Sequence, residues 1–136
     1  MLRPNPTVLL VDNDPDFVLA VRLRLEGHGY RCITAGTGGQ ALAQFGIEDV
    51  DLVITDLNMP GGDGLELATV LRRTSAVPII VVTGCKNDFA RRLRGVPNVV
   101  LLHKPFDVSE LLSIADAELL LHSQGRSRPA NGGETK

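Results

Sequence analysis

Four residues capable of chemistry each follow a short apolar run: Asp12 after VLLV, Asp56 after LVIT, Thr83 after IIVV, and Lys104 one residue past VVLL. Two carboxylates, a hydroxyl and an ammonium can hold a hard cation and an anion side by side. Asn13 and Asp14 extend the oxygen-rich stretch behind Asp12. Mg²⁺ suits such a set, because it prefers oxygen and needs only one or two carboxylates when waters and a phosphate complete its shell. Beside that cation Asp56 becomes a candidate nucleophile, whose carboxylate can attack a phosphoryl group to form an acyl phosphate once the charge on the phosphoryl oxygens is neutralised. Thr83 would donate a hydrogen bond to those oxygens and Lys104 a compact positive charge. Taken singly, Thr83 is an ordinary strand-end residue, Lys104-Pro105 an exposed turn, and Asp14 before Pro15 a helix cap. Their joint occurrence at the ends of different apolar runs is what argues for one site.

Those residues meet only if the runs are parallel strands of one sheet, whose carboxyl ends share an edge. The chain alternates short apolar runs with amphipathic stretches, the pattern of βαβ units. Strands are expected near 7-11, 31-35, 51-55, 78-83 and 99-103, and helices near 15-27, 38-46, 64-73, 87-94 and 108-123. In the first helix Phe17, Val18, Val21 and Leu25 make one apolar stripe; in the last, Leu111, Leu112, Ala115 and Leu119 do the same. Asp107, with Glu110 three residues on, reads as a helix start. The second strand, RCITA, is the most mixed and belongs at a sheet edge. The expected fold is a doubly wound α/β domain with a five-stranded parallel sheet of order 2-1-3-4-5 and five helices. In that order the crevice lies between the ends of strands one and three, beside Asp12 and Asp56.

Composition narrows the function further. At 136 residues the chain suits one core, and its net charge of −2, from 14 basic and 16 acidic side chains, gives no electrostatic reason for a nucleic-acid partner. Cys32 and Cys85 make no disulfide framework, which fits a reducing cytoplasm. No apolar run approaches the roughly 20 residues of a membrane helix, and early prolines and acids leave no signal peptide to be expected. After residue 123 the apolar periodicity is lost, so residues 1-123 are expected to form the domain and 124-136 a disordered tail or linker stub, with no effector domain following.

The segments VLLVDND at 8-14, DLVITDLNMPGGDG at 51-64, VPIIVVTG at 77-84 and HKPF at 103-106 resemble those of receiver domains of bacterial two-component response regulators, the chemotaxis regulator among them. The resemblance covers about residues 6-122. It implies a flavodoxin-like fold in which Asp56 is the phosphoacceptor. Asp12 and Asn13 are then the acidic-pair positions, the Asn58 backbone carbonyl is a further Mg²⁺ ligand, Thr83 is the switch residue and Lys104 contacts the phosphoryl group. It also implies a cis Lys104-Pro105 peptide, a glycine at 64 after the phosphorylation loop, and a small residue, Gly84, beside the switch threonine. Such a domain is not an enzyme in its own right; it catalyses its own phosphorylation from a phosphohistidine on a sensor histidine kinase or phosphotransfer protein. Its signal passes to a downstream protein through the face of the fourth helix, fifth strand and fifth helix, without direct nucleic acid or membrane contact.

Two positions depart from the family. Asn13 stands where the second acid of the pair is usual, which removes a charge and weakens the expected Mg²⁺ binding. Leu101 stands where many receivers carry a Tyr or Phe that swings inward, so activation has to be reported another way. Arg91, Arg92 and Arg94, with Lys86, form either a solvated helix face or a docking patch. His28, His103 and His122 are expected in surface or packing roles, and Cys85 shows no sign of a reactive thiol. Two alternatives follow: a receiver-like interaction module that is not phosphorylated, or an aspartate-nucleophile phosphatase. The second is disfavoured because Asn58 replaces the acid that its acid-base step needs.

Overall fold

The computed structural model describes residues 5–57, 64–84 and 95–126. Within them run β1 (Thr7–Val11), α1 (Pro15–Gly27), β2 (Arg31–Ala35), α2 (Gly38–Ile47), β3 (Leu52–Asp56), α3 (Gly64–Thr74), β4 (Ile79–Thr83), β5 (Val99–His103) and α4 (Val108–Arg126). All strand pairs are parallel, and the sheet order is β2-β1-β3-β4-β5, so the expected doubly wound topology is the observed one. Four helices fall among the described residues. The helix expected at 87-94, with Arg91, Arg92 and Arg94, lies outside them, as do Lys86 and Cys85.

The order follows from burial. β1, β3 and β4 are apolar on both faces because helices cover both, whereas the mixed β2 lies at one edge and the half-buried β5 at the other. Side chains alternate across the sheet with period two, and two cores result. Leu9, Val11, Val53, Ile79 and Val81 pack with Ala41 of α2 and Leu67, Ala68 and Leu71 of α3. Val8, Leu10, Leu52, Ile54, Ile80 and Val82 pack with Val21 and Leu25 of α1 and Leu111, Leu112, Ala115 and Leu119 of α4. The stripes read from the sequence are thus the buried faces, with Phe17 and Val18 at the margin of the second core.

β3 runs one residue later than the apolar pattern suggests, from Leu52 to Asp56. Asp51 is buried but occupied otherwise: its Oδ2 accepts from the Thr7 amide at 2.8 Å and its own amide donates to the Thr7 carbonyl at 2.8 Å. That reciprocal clamp sets the starts of β1 and β3 level with each other. On the other side of the sheet Arg72 of α3 donates to the carbonyls of Ser75 at 2.9 Å, Pro97 at 2.8 Å and Asn98 at 3.3 Å, tying the entry of β5 to the α3–β4 turn. The last helix runs to Arg126, three residues beyond the expected end, so the first three residues of the tail expected at 124-136 are helical instead; residues 127-136 lie outside the described residues.

Gly64 opens α3 against the end of β3. A Cβ there would overlap the Asp56 carbonyl oxygen and stand 2.9 Å from the Leu57 Cα, both backbone atoms that a rotamer change cannot move. Gly64→Ala should therefore destabilise the domain by about 2 kcal/mol, in the range of overpacking strain. Urea denaturation followed by circular dichroism measures it, and a surface glycine with open space around it, Gly46, gives the control.

Candidate functional site

Asp56 and Thr83 end their own strands, while Asp12, Leu57 and Lys104, each just past a strand, are held by backbone hydrogen bonds to the neighbouring strand. Asp12 N donates to Ala35 O at 3.1 Å, Leu57 N to Val82 O at 2.9 Å, and Lys104 N to Thr83 O at 2.7 Å. These bonds extend the ladders at the carboxyl ends, so the positions of the polar residues are set by the sheet. Val11 pairs with Thr55 and Asp56 with Val82, which places Asp12, Asp56 and Thr83 at successive strand ends along one edge. Asp12 and Thr83 are buried, Asp56 and Lys104 half-buried, and Asn13 is exposed.

The chain leaves β1 through a tight polar turn. Asp12 Oδ1 accepts from Asp14 N at 2.9 Å, and Asp14 in turn caps α1, its Oδ1 accepting from Asp16 N at 3.1 Å and Phe17 N at 3.5 Å, with Pro15 in the first turn. The expected capping role of Asp14 is therefore the observed one, and its carboxylate is engaged in it. Asp12 divides its oxygens between two tasks. Oδ1 holds the turn, while Oδ2 is buried and takes no hydrogen bond.

What faces that oxygen is Lys104. Its Nζ lies 3.7 Å from Asp12 Oδ2 and 4.6 Å from the centroid of the Phe17 ring, whose edge-to-face partner is Phe106 at 6.3 Å and 89°. β5 lies three strand spacings from β1, about 14 Å at the usual separation, so the lysine side chain must reach past the ends of β3 and β4, where Asp56 and Thr83 sit. The peptide between Lys104 and Pro105 is cis.

A buried carboxylate oxygen without a hydrogen bond is costly unless something charged occupies its lone pairs at work. With Asp56 and the exposed amide of Asn13 it would make an all-oxygen donor set of two carboxylates and one neutral oxygen, a chemistry that fits Mg²⁺. Among the described residues no group of three or more His, Cys, Asp or Glu is placed to hold a metal ion, so the oxygens of single carboxylates and neutral groups are the donors at this edge. Asn58, the remaining expected ligand, lies outside the described residues.

The other sequence expectations divide. Leu101 is half-buried against the α3 side of the sheet, filling the aromatic position with an aliphatic side chain. His28 is placed far from the site at the end of α1, where its Nε2 lies 2.9 Å from Asp116 Oδ2 and Tyr30 donates to the same carboxylate. Cys32, half-buried on β2, has its thiol pushed up to about 11 by burial and then by Glu26, which removes it as a nucleophile near neutrality. Phe17 was legible only as a core residue. Its spacing in the α1 stripe carries no sign that its ring also meets an ammonium.

A doubly wound parallel sheet with carboxylates, a threonine and a lysine on its carboxyl edge defines a flavodoxin-like domain of the chemotaxis-regulator type. Residues 8–116 match the response regulator receiver domain family, and the chain belongs to that family. The transcriptional activator protein PfeR of Pseudomonas aeruginosa is 35% identical over 119 residues, 85% of this chain and 38% of its own length. The KDP operon transcriptional regulatory protein KdpE of Escherichia coli is 34% identical over 85% of this chain and 52% of its own length. The chain thus spans about half or less of these curated relatives. Among solved structures, the chemotaxis response regulator CheY4 of Vibrio cholerae superposes with a TM-score of 0.77 at 29% identity, covering 84% of this chain and 98% of that one. A response regulator receiver protein from Pseudomonas putida gives 0.79 at 29%, covering 85% and 99%.

The capping arrangement generates a separable expectation. Asp14→Ala should cost about 1 kcal/mol of stability, the usual loss for an N-cap. Mg²⁺ titration of the same variant should match the parent, because the Asp14 carboxylate is spent on the helix; a chemical-denaturation curve and a calorimetric titration measure the two.

Proposed function

We propose that this receiver domain accepts a phosphoryl group from a phosphohistidine onto Asp56, with Mg²⁺, and passes the signal on by a change of its own surface. The observation that carries the reading is the buried, unbonded Asp12 Oδ2 facing the Lys104 ammonium at the edge where β3 ends in Asp56. An Asp56 carboxylate oxygen attacks phosphorus, the new O–P bond forms, and the P–N bond to the donor imidazole breaks, the electron pair staying on that nitrogen. Bound Mg²⁺ supplies positive charge that offsets the repulsion between the attacking carboxylate and the phosphoryl oxygens. Asp12, Asn13, Asp56 and the Asn58 carbonyl would hold it.

The chain's own residues do the rest. Lys104 neutralises a phosphoryl oxygen and Thr83 donates its hydroxyl to another, contacts each residue makes only in the phosphorylated state. That difference is what shifts a two-state equilibrium. Thr83 O accepts from Lys104 N, so a movement of either residue is transmitted to the β4–β5 edge. The reading makes the domain a self-catalysed phosphoacceptor and not a turnover enzyme. Its partners are a sensor histidine kinase or phosphotransfer protein and a downstream protein on the face of the helix expected at 87-94, β5 and α4; α4 exposes Leu120 and Leu121. The acidic net charge favours protein partners over nucleic acid for this domain. A cytoplasmic setting fits the free thiol of Cys32, and no described helix is long and apolar enough to cross a membrane.

Intact-mass analysis after acetyl phosphate with Mg²⁺ is expected to show one phosphoryl addition, lost in Asp56→Asn and lost with EDTA. A persistent adduct in Asp56→Asn moves the acceptor elsewhere, and no adduct in the parent favours an unphosphorylated interaction module.

Restoring a charge with Asn13→Asp is expected to tighten Mg²⁺ binding and to lower the stability of the metal-free protein through repulsion with Asp12 and Asp56. Titration calorimetry and denaturation in EDTA measure these two effects. Equal affinities would remove position 13 from the ligand set.

A further inference from the structure

Lysine side chains are long and flexible, and a buried carboxylate with a free oxygen is the strongest attractor available to the Lys104 ammonium. Yet Nζ stops 3.7 Å from Asp12 Oδ2, beyond hydrogen-bond reach, and the oxygen is left without a hydrogen bond. Something else holds the ammonium. The only other partner the geometry offers it among the described residues is the face of Phe17, 4.6 Å from Nζ to the ring centroid. The ring is itself held, by its place at the margin of the α1–α4 core and by the edge-to-face contact with Phe106, the second residue after Lys104. A cation over an aromatic face within about 6 Å is attracted by the ring quadrupole, more strongly as water is excluded.

We propose that Phe17 is a positioning residue for Lys104: its ring parks the ammonium short of direct contact with Asp12, keeping Asp12 Oδ2 open to a divalent cation while holding the lysine beside the Asp56 edge. This rests on the metal-dependent reading above. Without the ring, the ammonium closes on Asp12 and competes with the incoming cation. With it, one positive charge and the other can occupy the site together, the metal at the Asp12 side and the lysine displaced toward α1. The arrangement suits a site in which Asn13 has already removed one carboxylate, because a lysine in direct contact with Asp12 would cost it the better of its remaining ligands.

The test uses the whole chain and two readouts that need no phosphorylation. In the assigned NMR spectrum of the parent, the Lys104 ε-methylene protons, bonded next to the ammonium that lies over the ring, should resonate upfield of ordinary lysine values. The shift should be lost in Phe17→Leu and kept in Phe17→Tyr, which preserves the aromatic face. Calorimetric titration with Mg²⁺ should show Phe17→Leu binding roughly two- to fivefold more weakly than the parent, the ratio that corresponds to an exposed-to-partly-buried cation–π contact, while Phe17→Tyr binds as the parent does. Ordinary ε-methylene shifts in the parent overturn the proposal even if Phe17→Leu fails to fold. Unchanged or tighter Mg²⁺ binding in folded Phe17→Leu overturns it as well, since the ring would then not be holding the lysine away from Asp12. Acetyl phosphate labelling of the parent, run in parallel, separates the two readings: absent labelling with intact shifts and metal effects removes phosphorylation and leaves the positioning role standing.

Discussion

The charge pairing of Lys104 with Asp12, across 3.7 Å, is the constraint on which the site depends. It joins a residue that follows an edge strand to one that follows an inner strand three positions away in the sheet, and it lies across the ends of the two strands between them. Carboxylates gathered at one edge repel each other, and a positive charge has to stand among them for the arrangement to persist. In the metal-free chain that charge is the ammonium of Lys104. The parallel sheet makes this possible, because only parallel strands bring four carboxyl ends to the same side.

The surrounding structure follows from that pairing. Asp12 spends one oxygen on the turn into α1 and leaves the other for a cation. α1 begins at once because Asp14 and Pro15 cap it, and so Phe17 stands within reach of Lys104. The ladder bond from Lys104 N to Thr83 O ties the lysine to the threonine across the β4–β5 pair. Gly64 lets α3 start tight against the backbone of Asp56, which the side chain of any other residue would push away. The apolar strands are buried by helices on both faces and have no freedom to slip, since a shift of one residue would turn each side chain to the opposite core.

Much of this was legible in the sequence. Apolar runs ending in Asp12, Asp56, Thr83 and Lys104 are a period-and-position signal, and the sheet order followed from one strand being more polar than the rest. The stripes of α1 and α4 were legible for the same reason: burial imposes a 3.6-residue period. What was not legible is tertiary and local in space. Asp51 looked like the first residue of a strand because its neighbours are apolar, yet its carboxylate is used to clamp β1. Phe17 is an aromatic at a core spacing, and only the folded chain brings Lys104 over its face. His28 carried no sequence signal for Asp116, 88 residues away. Pairings at such separations leave no periodic trace, whereas a strand end does.

Charge arriving on Asp56 should be felt first by Thr83 and Lys104. Hydrogen–deuterium exchange of the whole chain, with Mg²⁺ and with or without beryllofluoride as a phosphoryl mimic, tests it most directly. Increased protection is expected at the amide of Lys104, which donates the ladder bond to the Thr83 carbonyl, and at that of Gly84 beside it, with little change at the clamp of Thr7 and Asp51 at the opposite end of the sheet. Unaltered exchange at Gly84 and Lys104 together with a response at that opposite end would contradict it.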